Sequence, residues 1–187
     1  MMDEKQRVRQ QLLHQRKQMN KEEVKHKSLI IQKTLQQDKW FQDAKSILFY
    51  VSYGNEVSTH QLIKTFLEDH DKTILPRSQT KSCTIDPKII TSWDQLQKGS
   101  YGIMEPSVDA SSFTGQLDLI IIPGVGFDQK GNRIGHGKGY YDRLVLQHSQ
   151  AKLIGLAFDF QIIASIPTDL YDKKVHKIIT ETRSITI

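Results

Sequence analysis

Apolar positions in this chain follow two periods, and the switches between them mark out the elements. Residues 3–19 read as a first helix. A second opens at Asn20, where Glu23 three positions on completes a capping-box pattern and Val24, Ile31 and Leu35 repeat roughly at helical spacing. Residues 46–51, Ser-Ile-Leu-Phe-Tyr-Val, form instead a continuous apolar run, as a strand buried on both faces requires. Ser58 and Gln61 make another capping-box pattern, opening a helix that runs to His70. Residues 73–75 predict a short strand ended by Pro76, and residues 80–115 hold strand candidates at 84–86 and 88–91 among turn signals. Apolar strands at 117–122 and 152–158 flank a helical segment at 140–148, and 177–180 and 184–187 read as closing strands. Strands alternating with helices predict an α/β fold: a single domain over residues 1–187, with a mainly parallel sheet and helices on both faces in a Rossmann-like three-layer arrangement. Ligands of such sheets sit beyond the carboxyl ends of the strands.

Glycine breaks this pattern at one place. Six of the eleven glycines fall within the sixteen residues from Gly124 to Gly139. Ordering glycine costs conformational entropy, so a cluster is expected where backbone turns tightly or approaches a ligand. The run follows a strand and leads into a helix, the geometry in which free N–H groups and a helix dipole meet a phosphate. Ordinary connections of this kind take about 2–6 residues. Arg133, Lys138 and Arg143 add positive charge, and Asp128 and Asp142 add oxygen donors suited to magnesium. Neither common phosphate grip fits: position 132 is Asn where a P-loop needs Gly, and neither glycine pair is followed by the third glycine of a dinucleotide fingerprint.

Composition narrows the class. At 187 residues, with 37% apolar and 25% charged residues, the chain is sized for one soluble globular unit. No apolar run approaches the ~20 residues of a membrane helix, so no membrane partner is expected. The N-terminus carries charge without an apolar h-region, and Cys83 is the only cysteine, which together suit a reducing cytoplasm. A formal charge of +5 favours anionic partners. Basic residues crowd the first 33 positions, which keeps RNA open at this point.

The glycine run carries a specific resemblance. Pro123-Gly-Val-Gly-Phe-Asp128 followed by Gly131-Asn-Arg-Ile-Gly-His-Gly-Lys-Gly-Tyr-Tyr-Asp-Arg143 is similar to the signature of the 5-formyltetrahydrofolate cyclo-ligase family, also called methenyltetrahydrofolate synthetases. The similarity extends along almost the whole chain. Lys5, Arg9 and Arg16 resemble the family's basic first helix, Glu56-Val-Ser-Thr59 its segment after the first strand, and Gly102-Ile-Met-Glu-Pro106 a further match. Pro167-Thr-Asp-Leu-Tyr-Asp172 with Ile178-Ile-Thr-Glu181 resembles the C-terminal signature. The chain departs from the family pattern at Tyr171, where the family has His, and at His176, where it has Asp.

The resemblance implies a reaction in which ATP and 5-formyltetrahydrofolate become ADP, phosphate and 5,10-methenyltetrahydrofolate through a phosphorylated formyl group, with magnesium required. It implies ATP binding by Lys5, Arg9, Arg133, Ile134, Gly135, His136, Gly137, Lys138, Gly139, Tyr140 and Tyr141. Arg133, Lys138 and Tyr141 take the catalytic positions. Val51, Tyr53 and Glu56, with Gly135 to Gly139, take the folate. Asp142 and Asp172 hold the metal. One of Tyr140 and Tyr141 is expected against the pterin or phosphate and the other in the core. Lys5, Arg9 and Arg16 stand at i, i+4 and i+11, which at 100° per residue keeps them within about 40° on one helix face, in line to reach a triphosphate. Arg7 and Lys17 read as surface charge. His14, His26, His60, His70 and His148 read as surface histidines, and Trp40 and Trp93 as core or interface anchors. Nucleic acid is not an expected partner, since the basic helix lacks interleaved aromatics. A monomer or weak dimer is expected. Two rivals remain: a nucleotide- or RNA-binding module that keeps the fold without catalysis, and a sugar-phosphate enzyme on a similar scaffold.

Overall fold

The computed structural model describes residues 3–70, 72–99, 102–169 and 172–187. At its centre β1 (Ile47–Leu48) lies between β6 (Leu119–Pro123) and β2 (Thr73–Gln79), parallel to both. Beyond β6 come β9 (Lys152–Leu156), β11 (Lys177–Ile179) and β12 (Ser184–Thr186), and beyond β2 comes β3 (Thr84–Ile90). The order is therefore β12–β11–β9–β6–β1–β2–β3, with only β3 and β12 antiparallel to their neighbours. The expected mainly parallel sheet is present.

Successive residues of a strand point to opposite faces, and both faces are covered. Ile47, Phe49, Leu119 and Ile121 meet Ile31 and Leu35 of α2 (Lys21–Gln36), Leu62 and Ile63 of α4 (His60–Asp69), and Trp40 and Phe41 of α3 (Lys39–Asp43). Leu48, Ile120 and Ile122 meet Leu144 and Val145 of α5 (Tyr140–Gln147) on the other face. Each fully buried side chain of this size contributes about 1.5–3 kcal/mol. The N-terminal helix α1 (Glu4–Gln18) packs apart from both, placing Leu12 against Val125, Ile134 and Ile166.

Several local expectations are corrected. The sixteen-residue glycine run is not one loop. Gly126–Asp128 (β7) and Arg133–Ile134 (β8) pair as a hairpin, joined by β10 (Ile162–Ile163). Asp128, expected as an oxygen donor for metal, closes this hairpin instead. It is 1% exposed, and its carboxylate accepts from the N–H groups of Lys130, Asn132 and Ile166 and from the Asn132 amide, at 2.8–3.1 Å. Pro76 does not end β2, and Pro87 does not divide β3. The two prolines face each other in the ladder, and the Pro87 carbonyl accepts from Phe113 on the outer side. Their backbone groups point away from each other, so neither missing N–H interrupts the pairing. A second hairpin, β4 (Leu96–Lys98) with β5 (Met104–Pro106), fills the remainder of the 80–115 region. The α4 cap is Thr59, one residue later than expected. Its hydroxyl makes no cap bond and donates to the Tyr50 carbonyl at 2.7 Å, because it staples the preceding loop. Asn20 does cap α2, accepting from the Glu23 N–H at 2.9 Å. Among the described residues no helix is long and apolar enough to cross a membrane.

His148 is buried, contrary to the surface reading, because its Nδ1 accepts the Leu117 N–H. His176 accepts the Leu153 N–H in the same way at 3.0 Å and meets Trp40 edge-on. Burial lowers the pKa of both below the ordinary 6.5, and the Lys152 charge lowers that of His176 further. Below pH 6.5 the unfolded chain then binds more protons than the folded one. Stability is complete above that pH and declines as pH falls towards the lowered folded-state values. Thermal unfolding between pH 7.5 and 5 should show a falling midpoint, and H148Q with H176Q should flatten it. An equally steep profile in the double variant would assign the effect to other groups.

Candidate active site

The chain leaves β1 towards β2 on one side and reaches β6 on the other, so the strand order reverses between β1 and β6. No crossover covers the carboxyl ends of strands at such a point, and a crevice opens there. Three segments converge on it: residues 49–59 after β1, residues 124–139 after β6, and α1.

The β1 segment is fixed on itself. The Tyr50 hydroxyl donates to Val57 O at 2.7 Å, and Ser52 N–H donates to the Thr59 hydroxyl at 3.1 Å. This turn presents Glu56, whose side chain is 11% exposed. Its Oε2 accepts from the Tyr53 N–H at 2.9 Å, and its Oε1 lies 3.8 Å from Arg16 Nη2 and 3.6 Å from His136 Nε2. Tyr53 is exposed, whereas Val51 sits in the core against α2 and α4. Sequence reasoning missed Asn55, whose amide donates to the carbonyls of Arg16 and Met19 at the end of α1. It also missed Gln161, which donates to Gly124 O and Val125 O and so fixes the chain as it leaves β6. Long-range amide bonds of this kind leave no local pattern in a sequence.

Of the glycine run, only residues 135–139 remain irregular between β8 and α5. Gly139 caps α5 with φ +68°, a conformation that disfavours a side chain, and a Cβ there would lie 2.8 Å from the Arg143 guanidinium. Arg143 donates to the carbonyls of Lys138 and Cys83, so it braces the loop from behind and does not point into it. His136 and Lys138 are exposed. Ile134 is buried beneath them in the α1 contact. Arg133 is 8% exposed and donates to Pro123 O and to Asp142 Oδ1 at 3.0 Å, and its buried Nε has no partner among the described residues. Its guanidinium lies 5.9 Å from the Tyr141 ring. Burial, with the nearby Glu56 charge, raises the Tyr141 pKa far above the ordinary value, so the phenol stays protonated. Both Tyr140 and Tyr141 are half-buried and pack on the sheet.

The three cations of α1 each turn to different groups within the chain. Arg9 Nε donates to Gly135 O at 2.8 Å, on the glycine loop. Arg16 is buried and turns to Glu56 and Gly124 O. Lys5 pairs with Asp169 at 2.9 Å and with Asp172. Burial opposes the Lys5 charge, but the bonds to both carboxylates outweigh it and raise the pKa. Asp172 is likewise held below the usual carboxylate range, its burial outweighed by the Asp169 N–H, by Lys5 and by Arg133. Arg7 and Lys17 are exposed, as expected.

The expected metal residues therefore lie near one cationic centre, each already neutralised: Asp142 by Arg133 and Asp172 by Lys5. Among the described residues no three His, Cys, Asp or Glu side chains group as a metal cage. Asp142 and Asp172 fit a magnesium ion carried by phosphates, which takes only one or two protein carboxylates. His176 bonds Leu153 and packs on Trp40. Tyr171 lies outside the described residues.

Comparison with known proteins bears on the same features. The chain is 34% identical over 186 residues to a mouse 5-formyltetrahydrofolate cyclo-ligase, covering 93% of this chain and 92% of that one. It is 34% identical over 180 residues to a probable 5-formyltetrahydrofolate cyclo-ligase of Caenorhabditis elegans, covering 89% and 87%. The solved structure of Aquifex aeolicus 5,10-methenyltetrahydrofolate synthetase superposes with a TM-score of 0.85 at 32% identity, over 97% of this chain and 92% of that one. The model of the 5-formyltetrahydrofolate cyclo-ligase family matches residues 1–181, and with these relatives it shows that the chain belongs to that family.

Proposed function

We propose that this chain converts 5-formyltetrahydrofolate to 5,10-methenyltetrahydrofolate, with ATP consumed to ADP and phosphate. One observation carries the reading. A glycine loop with paired cations and a carboxylate suited to a pterin lie side by side at the strand-order reversal, with His136 of the loop 3.6 Å from Glu56.

A formamide oxygen is a poor leaving group. In this reading it attacks the γ-phosphorus, the bond to ADP breaks, and an iminium phosphate forms. N10 of the folate then attacks the formyl carbon and loses its proton, the carbon–oxygen bond breaks, and phosphate leaves. Such transfers need positioning and charge neutralisation more than covalent help. Main-chain N–H groups of Gly135, Gly137 and Gly139 surround phosphate oxygens, Arg133 grips them with its fork, and Lys138 adds a point charge. The unpartnered Arg133 Nε is one donor that an oxyanion would satisfy. Arg9 holds the loop by Gly135, and in this reading it meets the nucleotide together with Lys5. Tyr141, held neutral, serves as a hydroxyl donor or ring surface and not as a base. Glu56 accepts from the amino and ring N–H groups of the pterin, with Tyr53 beside it. Magnesium, when bound with the nucleotide, offsets charge on the phosphates, and Asp142 and Asp172 are the carboxylates that would hold it. Cations stored against carboxylates, and not displayed as an open stripe, argue against an RNA-binding module.

Mixing protein, 5-formyltetrahydrofolate, ATP and magnesium should produce the near-ultraviolet absorbance of the methenyl product. No rise would remove the reading, and a rise without ATP would remove the phosphorylation step. Asp142→Ala should lower turnover by about 10²-fold or more, since Arg133 loses its partner along with the metal carboxylate. Arg9→Ala should act mainly on the KM for ATP, raising it roughly tenfold, the scale of one charge-assisted bond, while Arg7→Ala stays within about twofold. Unchanged rates for Asp142→Ala would refute its role.

A further inference from the structure

The α1 helix touches both halves of the site. Near its start, Arg9 grips the glycine loop through Gly135 O. Two or more turns on, its last turn meets the segment that carries Glu56. There the helix ends at Met19, whose backbone is extended and whose N–H reaches back to Arg16 O at 3.4 Å, so the last carbonyls lack the usual helical donors four residues on. Asn55 fills two of them, donating to Arg16 O at 3.0 Å and to Met19 O at 2.8 Å. The Arg16 side chain returns from the same turn to Gly124 O and to within 3.8 Å of Glu56. Main chain and side chain of one helical turn thus hold both strands that border the crevice.

We propose that Asn55 is a positioning residue. By fastening the end of α1 to the β1 segment, it sets Glu56 and Arg9 in one frame, so that the folate-side carboxylate and the nucleotide-side loop keep their spacing. This rests on the reaction proposed above. The physical basis is stiffness. A helix transmits displacement along its length, and Arg9 stands seven residues, about 10 Å, from Arg16. Apolar contacts of Leu12 hold the middle of the helix and buried Met19 seats its end, where Asn55 adds the directional bonds. Small misplacements at a transfer site cost large factors in rate and affinity. Asn55 is next to Glu56 in sequence and makes no described bond to the glycine loop; it reaches that loop through α1, by Arg9 on Gly135 O, and through Glu56, which lies 3.6 Å from His136.

The test compares Asn55→Ala with Asn55→Asp, which has the same shape but no donor, in the full-length protein well below each variant's unfolding midpoint. Both variants should raise the KM for 5-formyltetrahydrofolate about tenfold and that for ATP about threefold, with kcat within about threefold. Titration calorimetry with a non-hydrolysable ATP analogue should show the same loss of nucleotide affinity. Asn55→Ser, with a shorter donor, should recover part of both and also serves if the other variants fold poorly. A fall in unfolding temperature alone, a change confined to the folate KM, or a wild-type Asn55→Asp would each overturn the proposal. If the wild-type protein forms no methenyl product, the reaction fails as a reading, while calorimetry on the same variants still decides whether Asn55 governs nucleotide affinity.

Discussion

Two neighbouring parallel strands whose chain departs in opposite directions cannot both be roofed by their own connections. That constraint, met between β1 and β6, creates the crevice to which everything else in the site is fitted. The segment after β6 must turn away at once, and the buried Asp128 carboxylate lets it do so as a hairpin by accepting four donors. The segment after β1 must turn the other way, and Thr59 and Tyr50 fasten it through their hydroxyls. The sheet supplies the gap, and these polar knots decide which side chains line it.

Charge is the second organising element. The crevice gathers Arg133, Lys5, Arg16 and Arg9, and such a gathering would repel itself if left uncompensated. Asp142, Asp172 and Asp169 answer Arg133 and Lys5, while Glu56 answers Arg16. Arg9 donates its Nε to a carbonyl of the glycine loop. Burial of Arg133 makes its pairing with Asp142 matter more than a surface pair would, because a buried charge without its partner is costly.

Much of this was legible beforehand, and the reasons differ by element. Continuous apolar runs at β1, β6 and β9 stand out because strands covered on both faces need no polar positions. The family signature named the residues from Arg133 to Asp142 because their types and order are unusual. Pro76 and Pro87 misled, since a proline reads as an interruption unless the facing residue is known. Asp128 misled because an acid among glycines suits a metal as well as a turn, and only burial separates the two. His148 read as surface because a helix end gives no hint that a strand amide lies above it. Asn55, Gln161 and the partition of the α1 cations were out of reach, since each depends on contacts 36 to 167 positions apart in the chain.

The storage of cations against carboxylates has a kinetic corollary. A chain with a formal charge of +5 would ordinarily draw a polyanion in through long-range attraction that fades as salt is added. Here Lys5 and Arg133 present little outward field while they remain with Asp172 and Asp142. In the reaction proposed above, capture of a phosphate chain by Lys5 and Arg133 would be an exchange of partners after contact. That local exchange would respond less to ionic strength than the long-range attraction of the net charge does.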